Sequence, residues 1–250
     1  MIQNALKKNI RALTRGKHTT KNPQAILLGG QSGAGKTTIH RIKQREFQGN
    51  IIIIDGDSYR VQHPNYLILQ EKYGKNSVNY TQAFSGKMVE QLIEKLSELG
   101  HHLLIEGTLR TKEVPKNTAR LLRSRGYQVS LALIATKPEL SYLSTLVRYE
   151  ALYAINPTQA RATPKHYHDS IVSHLVENLK ELENEHLFSQ IQIYQRDRRC
   201  VYDSQIDRHS ATEVCQKLLF GKWSKLEEEM LQQGKVHLRE LMHKNGRRSV

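Results

Sequence analysis

The residues best suited to chemistry lie where Gly30-x-x-x-x-Gly35-Lys36-Thr37 matches the phosphate-binding P-loop pattern. Glycines let the backbone curl so that successive N–H groups point at a polyphosphate. The Lys36 ammonium suits the outer phosphates, and the Thr37 hydroxyl suits Mg²⁺. An apolar run precedes the motif and an amphipathic stretch follows it, so the next helix points its N-terminus at the anion. We therefore predict a nucleoside triphosphate site formed by Gly30, Gln31, Ser32, Gly33, Ala34, Gly35, Lys36, Thr37 and Thr38.

Three acidic residues follow two other apolar runs that have the length of strands. Asp55 and Asp57 come after four isoleucines, and Glu106 comes after Leu-Leu-Ile. The carboxyl ends of parallel strands meet at one edge of a sheet, where ligands bind. Asp55 is expected to help hold Mg²⁺, and Asp57 could take the proton of an acceptor hydroxyl during phosphoryl transfer. Alternatively, one of the pair only caps a turn, and Glu106 is either a second acid beside the ion or a contact to the acceptor.

Two arginines lie farther along the chain, in a segment near residues 148–165 that could close over a nucleotide. Arg148 falls on a predicted helix, and Arg161 falls in the turn-rich stretch N-P-T-Q-A-R-A-T-P. Arginines on a closing segment would neutralise charge on the phosphoryl group as it is transferred. Most arginines face solvent, so the pattern alone also allows a surface role for both.

The elements that must position these residues alternate between apolar strands and amphipathic helices. This alternation predicts a P-loop kinase-like three-layer α/β/α fold with a mainly parallel central sheet and helical additions at both ends. We expect a single domain over residues 1–250. Within it, residues 1–24 form an N-terminal helix and linker, residues 25–204 the catalytic core, and residues 205–250 the C-terminal helices.

Composition narrows the function classes. The 250 residues carry a net charge of +14 and only 6% aromatic residues. A basic surface attracts polyanions in general, but no basic stripe with interleaved aromatic residues supports a nucleic-acid partner. No apolar run is long enough to span a bilayer and the N-terminus lacks a signal-peptide core, so we expect no membrane partner and a cytoplasmic location. The two cysteines and scattered histidines fit neither a disulfide framework nor a zinc site.

Four stretches together resemble the zeta toxin family of bacterial toxin–antitoxin systems. They are L-L-G-G-Q-S-G-A-G-K-T-T, I-D-G-D-S-Y-R-x-Q-H-P, L-L-I-E-G-T-L-R-T and L-V-R-Y-E-x-L-Y-A-I-N-P-x-Q-A-R-A-T-P-K. They cover most of the chain between residues 25 and 203. The resemblance implies an ATP-dependent kinase that phosphorylates UDP-N-acetylglucosamine on the 3′-hydroxyl of its amino sugar. The product would block an early step of peptidoglycan synthesis.

The resemblance also implies a role for individual residues. Lys36 would bind the β- and γ-phosphates, Thr37 would hold Mg²⁺, and Asp57 would be the base that faces the sugar hydroxyl. Arg148 and Arg161 would clamp the transferring phosphate. The positions that would line the sugar-nucleotide pocket are Glu90, Glu106 and Thr118. A cognate antitoxin that occludes the nucleotide site is implied as a partner.

Two other functions stay open at this point. One is a P-loop kinase that acts on another small molecule or on a nucleic-acid 5′-hydroxyl, which the basic surface would favour. The other is a nucleotide-binding switch without catalysis, in which Asp57 and Arg148 would have no chemical role. Loss of activity on substitution of either residue would exclude the switch.

Overall fold

The computed structural model describes residues 2–157 and 160–247. The strands of these residues are β1 Gln24–Gly29, β2 Ile52–Ile54, β3 Leu103–Glu106, β4 Gln128–Ile134, β5 Gln190–Tyr194 and β6 Cys200–Asp203. They form one six-stranded sheet in the order β2-β3-β1-β4-β5-β6. The first five strands run parallel, and β6 pairs antiparallel with β5.

Alternating side chains of the strands fill two separate apolar cores. Ala25 and Leu27 of β1 belong to the larger core, whereas Ile26 and Leu28 belong to the smaller one. Successive side chains of a strand point to opposite faces, so both faces of this sheet are covered. Covered faces explain why the strands read as continuous apolar runs rather than alternating ones.

Helices connect the strands and cover both faces. They are α1 Ile2–Thr14, α2 Lys36–Glu46, α3 Tyr66–Tyr73, α4 Val78–Glu98, α5 Glu113–Ser124, α6 Pro138–Ile155, α7 Lys165–Asn184, α8 Ala211–Phe220 and α9 Lys225–Lys244. This architecture confirms the predicted fold class, with α1 and α9 as the outermost additions. A 3₁₀ segment over Gly56–Gln62 was not predicted from the sequence. No helix in the described part of the chain has the length and apolarity needed to cross a membrane.

The register of the three strands β2, β3 and β1 brings the candidate residues to one edge. Leu28 of β1 pairs with Glu106 of β3. Ile54 of β2 pairs with Ile105 of β3, so Asp55 follows at the level of Glu106. The P-loop leaves β1 at the same edge, as expected for ligand sites in open parallel sheets. Thr158 and Gln159 of the predicted lid-like segment, and positions 1 and 248–250 of the predicted end regions, lie outside the described residues.

Candidate active site

The P-loop follows β1 and is shaped by its glycines. Gly30, Gly33 and Gly35 have φ angles of 135°, 77° and 109°, which side chains other than glycine rarely adopt. A β-carbon on Gly33 would lie 2.0 Å from the Ser141 carbonyl oxygen of α6. The loop therefore needs glycine at position 33 both for its conformation and for its contact with α6.

Two side chains of the P-loop are already anchored. Gln31 is fully buried, and its Nε2 donates to the carbonyl oxygen of Thr136 at 2.5 Å and lies 3.3 Å from Ser141 Oγ. The Lys36 Nζ donates to the carbonyl oxygens of Gly30 and Gln31 at 2.9 and 3.3 Å. This holds the ammonium at the mouth of the loop, where it can meet a phosphate.

Asp55 lies at the tip of β2 and caps the 3₁₀ segment. Its Oδ1 accepts from the Asp57 backbone N–H at 3.0 Å, and its Oδ2 accepts from the Ser58 hydroxyl at 3.1 Å. The capping role that the sequence left open between the two aspartates therefore belongs to Asp55. Burial, followed by the nearby negative charges of Glu106 and Asp57, raises the pKa of Asp55.

Glu106, at the tip of β3, faces the P-loop. Its Oε1 lies 3.8 Å from Lys36 Nζ, and its Oε2 lies 2.7 Å from His40 Nε2. Burial opposes ionisation of this carboxyl, but the His40 contact and the Lys36 charge outweigh burial and lower its pKa. Glu106 is thus an ionised carboxylate beside the P-loop.

The oxygen groups at this edge fit Mg²⁺. Thr37 is exposed in the first turn of α2, and Asp55 presents a carboxylate whose pKa is raised first by burial and then by the charges of Glu106 and Asp57. Within residues 2–157 and 160–247, no cluster of three or more His, Cys, Asp or Glu residues forms a metal cage. Mg²⁺ is usually bound by one or two protein oxygens together with substrate phosphates, and Thr37 and Asp55 are oxygen groups of that kind.

Asp57 lies in the 3₁₀ segment, two residues after Asp55. Its Oδ1 lies 2.7 Å from Arg60 Nε, and 57% of its side chain remains exposed. Partial burial in the cleft raises the pKa of this carboxyl, but the hydrogen bond and charge of Arg60, together with Arg161 and Arg148, lower it overall. Asp57 is therefore ionised at neutral pH and able to accept a hydrogen bond from an alcohol.

Arg148 and Arg161 face Asp57 across the cleft. Arg148 Nη2 donates to the Thr163 hydroxyl at 3.3 Å. Arg161 Nη1 is buried and finds no hydrogen-bond partner among the described residues. A buried guanidinium nitrogen without a partner is costly, so an anion beside Arg161 would stabilise this arrangement.

These groups line two adjoining cavities. The cavity on the acceptor side measures about 260 Å³ and is lined by the two arginines, both aspartates, Thr37 and Glu106. The cavity beside the P-loop measures about 350 Å³ and adds Lys36, Gly33 and Gly35. Because Thr37, Asp57 and Arg148 line both, the two cavities form one cleft that joins the P-loop to Asp57.

Two residues named from the family resemblance do not line either cavity. Glu90 is exposed on α4, and the Thr118 hydroxyl donates to the Val114 carbonyl oxygen of its own helix at 2.8 Å. Their proposed contact with the substrate stays a prediction.

Other residues line the cleft but were not identified from the sequence. They are Arg60, Asn79, Gln82 and Tyr167. Arg60 carried a usable signal, because a residue three positions after Asp57 lies close to it in any helical turn. Asn79, Gln82 and Tyr167 carried none, since they reach the cleft only through the packing of α4 and α7.

A family model described as Zeta toxin matches residues 9–207 of the chain. The chain is 67% identical over 243 residues to Toxin PezT of Streptococcus pneumoniae, covering 97% of this chain and 96% of that protein. It is 43% identical over 203 residues to Toxin zeta of Streptococcus pyogenes, covering 81% and 71% respectively. A solved structure from a characterisation of the PezAT chromosomal toxin–antitoxin system of Streptococcus pneumoniae superposes with a TM-score of 0.90 at 66% identity, covering 96% of each chain. All the residues that line the cleft fall within the range matched by the family model.

Proposed function

Because the chain belongs to the zeta toxin family, as its motifs predicted, we propose that it is a kinase toxin that uses ATP to phosphorylate UDP-N-acetylglucosamine. The phosphate would go to the 3′-hydroxyl of the amino sugar, and the product would block peptidoglycan synthesis in the cytoplasm. The observation that supports this proposal is the single cleft that joins the P-loop, through Thr37, to Asp57 and the two facing arginines.

The phosphate end of the cleft would bind ATP and orient it. The backbone N–H groups of the P-loop would surround the phosphates, and Lys36 would turn from the loop carbonyls to the β- and γ-phosphates. Thr37 and Asp55 would hold Mg²⁺, which neutralises charge on the phosphates when bound. Glu106 would keep His40 in place through the contact already present.

At the other end, Asp57 would act on the acceptor. The acceptor hydroxyl oxygen forms a bond to the γ-phosphorus, its O–H proton passes to the Asp57 carboxylate, and the bond from the γ-phosphorus to the bridging oxygen breaks to release ADP. Arg148 and Arg161 would neutralise the oxygens of the phosphoryl group in transfer.

The size of the acceptor cavity bears on the rest of the substrate. At about 260 Å³ it is smaller than the roughly 300–1,000 Å³ of sites that enclose a drug-sized ligand. We therefore propose that the cavity takes the amino sugar and that the nucleotide part continues over α4 and α5. Glu90 and Thr118 would contact it there.

An antitoxin partner is part of this proposal. A kinase toxin must be blocked in the cell that makes it, and a partner that covers the nucleotide site would do so. The net charge of +14 favours an acidic partner, since complementary charge speeds association.

The test is to incubate the protein with γ-labelled ATP, Mg²⁺ and a panel of UDP-sugars, nucleosides and oligonucleotides. UDP-N-acetylglucosamine should be labelled, and Lys36→Ala should abolish labelling. Asp57→Asn should keep ATP binding and lower turnover by on the order of 100-fold or more. Labelling of oligonucleotides alone would replace the proposed acceptor, and a mild effect of Asp57→Asn beside a severe one of Asp55→Asn would exchange the roles of the two aspartates.

A further inference from the structure

We propose that Arg60 is a positioning residue, which fixes the Asp57 carboxylate and ties it to the first turn of α4. The inference rests on the proposed function, because it requires Asp57 to face the acceptor hydroxyl. It goes further by making α4 the element that sets where the base and the acceptor meet.

The Arg60 guanidinium bridges two elements. Its Nε lies 2.7 Å from Asp57 Oδ1, while its Nη1 donates to the Val78 carbonyl oxygen at 3.0 Å and to the Thr81 hydroxyl at 3.2 Å. Only 16% of the side chain is exposed. A planar guanidinium can make these contacts in fixed directions at once, whereas a lysine ammonium on a flexible stem cannot. Asp57 is thereby held relative to α4 and not only to its own loop.

A second hydrogen bond joins the segment that carries Asp57 to α4. The Ser85 hydroxyl donates to the Gly56 carbonyl oxygen at 2.5 Å. A β-carbon on Gly56 would lie 3.2 Å from Ser85 Oγ, so glycine allows this close approach. Thr81 and Ser85 are four residues apart and lie on one face of α4. The loop that carries Asp57 is therefore fastened to α4 at two points one turn apart.

The first turns of α4 also line the acceptor cavity, through Val78, Asn79 and Gln82. An acceptor that packs against these side chains is thus placed by the same helix that places the Asp57 carboxylate. Arg60 leaves one carboxylate oxygen, Oδ2, without a hydrogen bond to any described residue, so that oxygen can receive the acceptor hydroxyl. The other charged groups around Asp57 are Arg148, Arg161, Asp55 and Glu106.

The decisive experiment is steady-state kinetics of Arg60→Gln with ATP and UDP-N-acetylglucosamine, alone and combined with Asp57→Asn. In the wild-type background, kcat should fall on the order of tenfold and the KM for the sugar nucleotide should rise, because the base is misplaced. The Kd for ATP should not change, since the P-loop is untouched. In the Asp57→Asn background, Arg60→Gln should cost little more. An equal loss of kcat in both backgrounds would overturn the proposal, as would a loss confined to ATP binding.

Two further variants sharpen the test. Arg60→Lys keeps the charge and loses the bridging geometry, so it should be closer to Arg60→Gln than to the wild type; full activity would overturn the bridging role. Lys95→Gln removes an exposed ion pair of the same i,i+3 spacing at the other end of α4 and should leave all constants unchanged.

Crystal structures of the wild type and the variant test this inference independently of the proposed function. If the wild type does not phosphorylate UDP-N-acetylglucosamine, the proposed function fails, and crystal structures of the wild type and Arg60→Gln still decide the role of Arg60. The Asp57 carboxylate should leave its wild-type position in the variant while the P-loop stays in place. An unmoved carboxylate would overturn the proposal.

Discussion

The phosphate end and the acceptor end of the cleft are constructed differently. At the phosphate end, positive-φ glycines shape a short continuous loop, and the Lys36 ammonium bonds to carbonyls of that loop. At the acceptor end, the 3₁₀ segment supplies Asp57, α4 holds Arg60, and α6 and the segment before α7 supply the facing arginines. Backbone geometry therefore determines the first end, and side-chain contacts between distant segments determine the second. Damage to the phosphate end should abolish nucleotide binding, whereas damage to the acceptor end should slow turnover with ATP still bound.

The largest effect is expected from Gly33→Ala. The new β-carbon would lie 2.0 Å from the Ser141 carbonyl oxygen at a φ of 77°, so the loop must deform. The affinity for ATP, measured by calorimetry, should fall on the order of 100-fold or more, because several backbone N–H contacts are lost together. Gly86→Ala is the matched control, since nothing lies within 4 Å of its β-carbon position. If Gly33→Ala binds ATP with normal affinity, backbone geometry does not determine nucleotide binding at the phosphate end.

An intermediate effect is expected from Arg161→Met. Loss of this guanidinium should reduce kcat by roughly 10- to 100-fold, because charge on the phosphoryl group in transfer is no longer neutralised. The Kd for ATP, measured in the absence of acceptor, should change less than about threefold, because this arginine is expected to act on the phosphoryl group in transfer rather than on bound ATP. Arg208→Met, which removes an exposed arginine that lines neither cavity, should match the wild type. If Arg161→Met instead removes ATP binding with kcat intact, the two ends are not separable.

The smallest effect is expected on the free energy of unfolding, through a buried histidine that contacts α6 next to the P-loop. His168 is buried, and its Nε2 lies 2.9 Å from Ser141 Oγ. Burial lowers the pKa of His168 in the folded state, and its contact with Asp169 only partly offsets this. The unfolded chain therefore binds a proton more readily, so this contribution to stability is lost as the pH falls through about 6.5. Urea unfolding at pH 7.5 and pH 5.5 should show the decline, and His168→Gln should reduce it.

The exposed His166 provides the control for this measurement. His166→Gln should leave the pH dependence of the unfolding free energy as it is in the wild type. An equal reduction in both variants would show that His168 has no special role behind the P-loop.

The contrast between the two ends also explains what could be predicted from the sequence. The phosphate site follows from local rules, because glycine, lysine and threonine at fixed spacing dictate one loop. Asp55, Asp57 and Glu106 were placed correctly at the sheet edge because apolar runs locate strand ends. Which of the two aspartates caps a turn could not be predicted, since the 3₁₀ segment that Asp55 caps has no apolar periodicity. Asn79 and Gln82 reach the cleft only through packing of α4, which depends on contacts far apart in the chain.

The close contact between the P-loop and α6 links the two ends of the cleft. Gly33 lies so close to the Ser141 carbonyl oxygen that no methyl group fits between them, and Arg148 follows seven residues later, about 10 Å along the same helix. The α6 helix therefore touches the P-loop in its first turn and lines the acceptor cavity two turns later. A substitution that shifts this helix should disturb both ends of the cleft together.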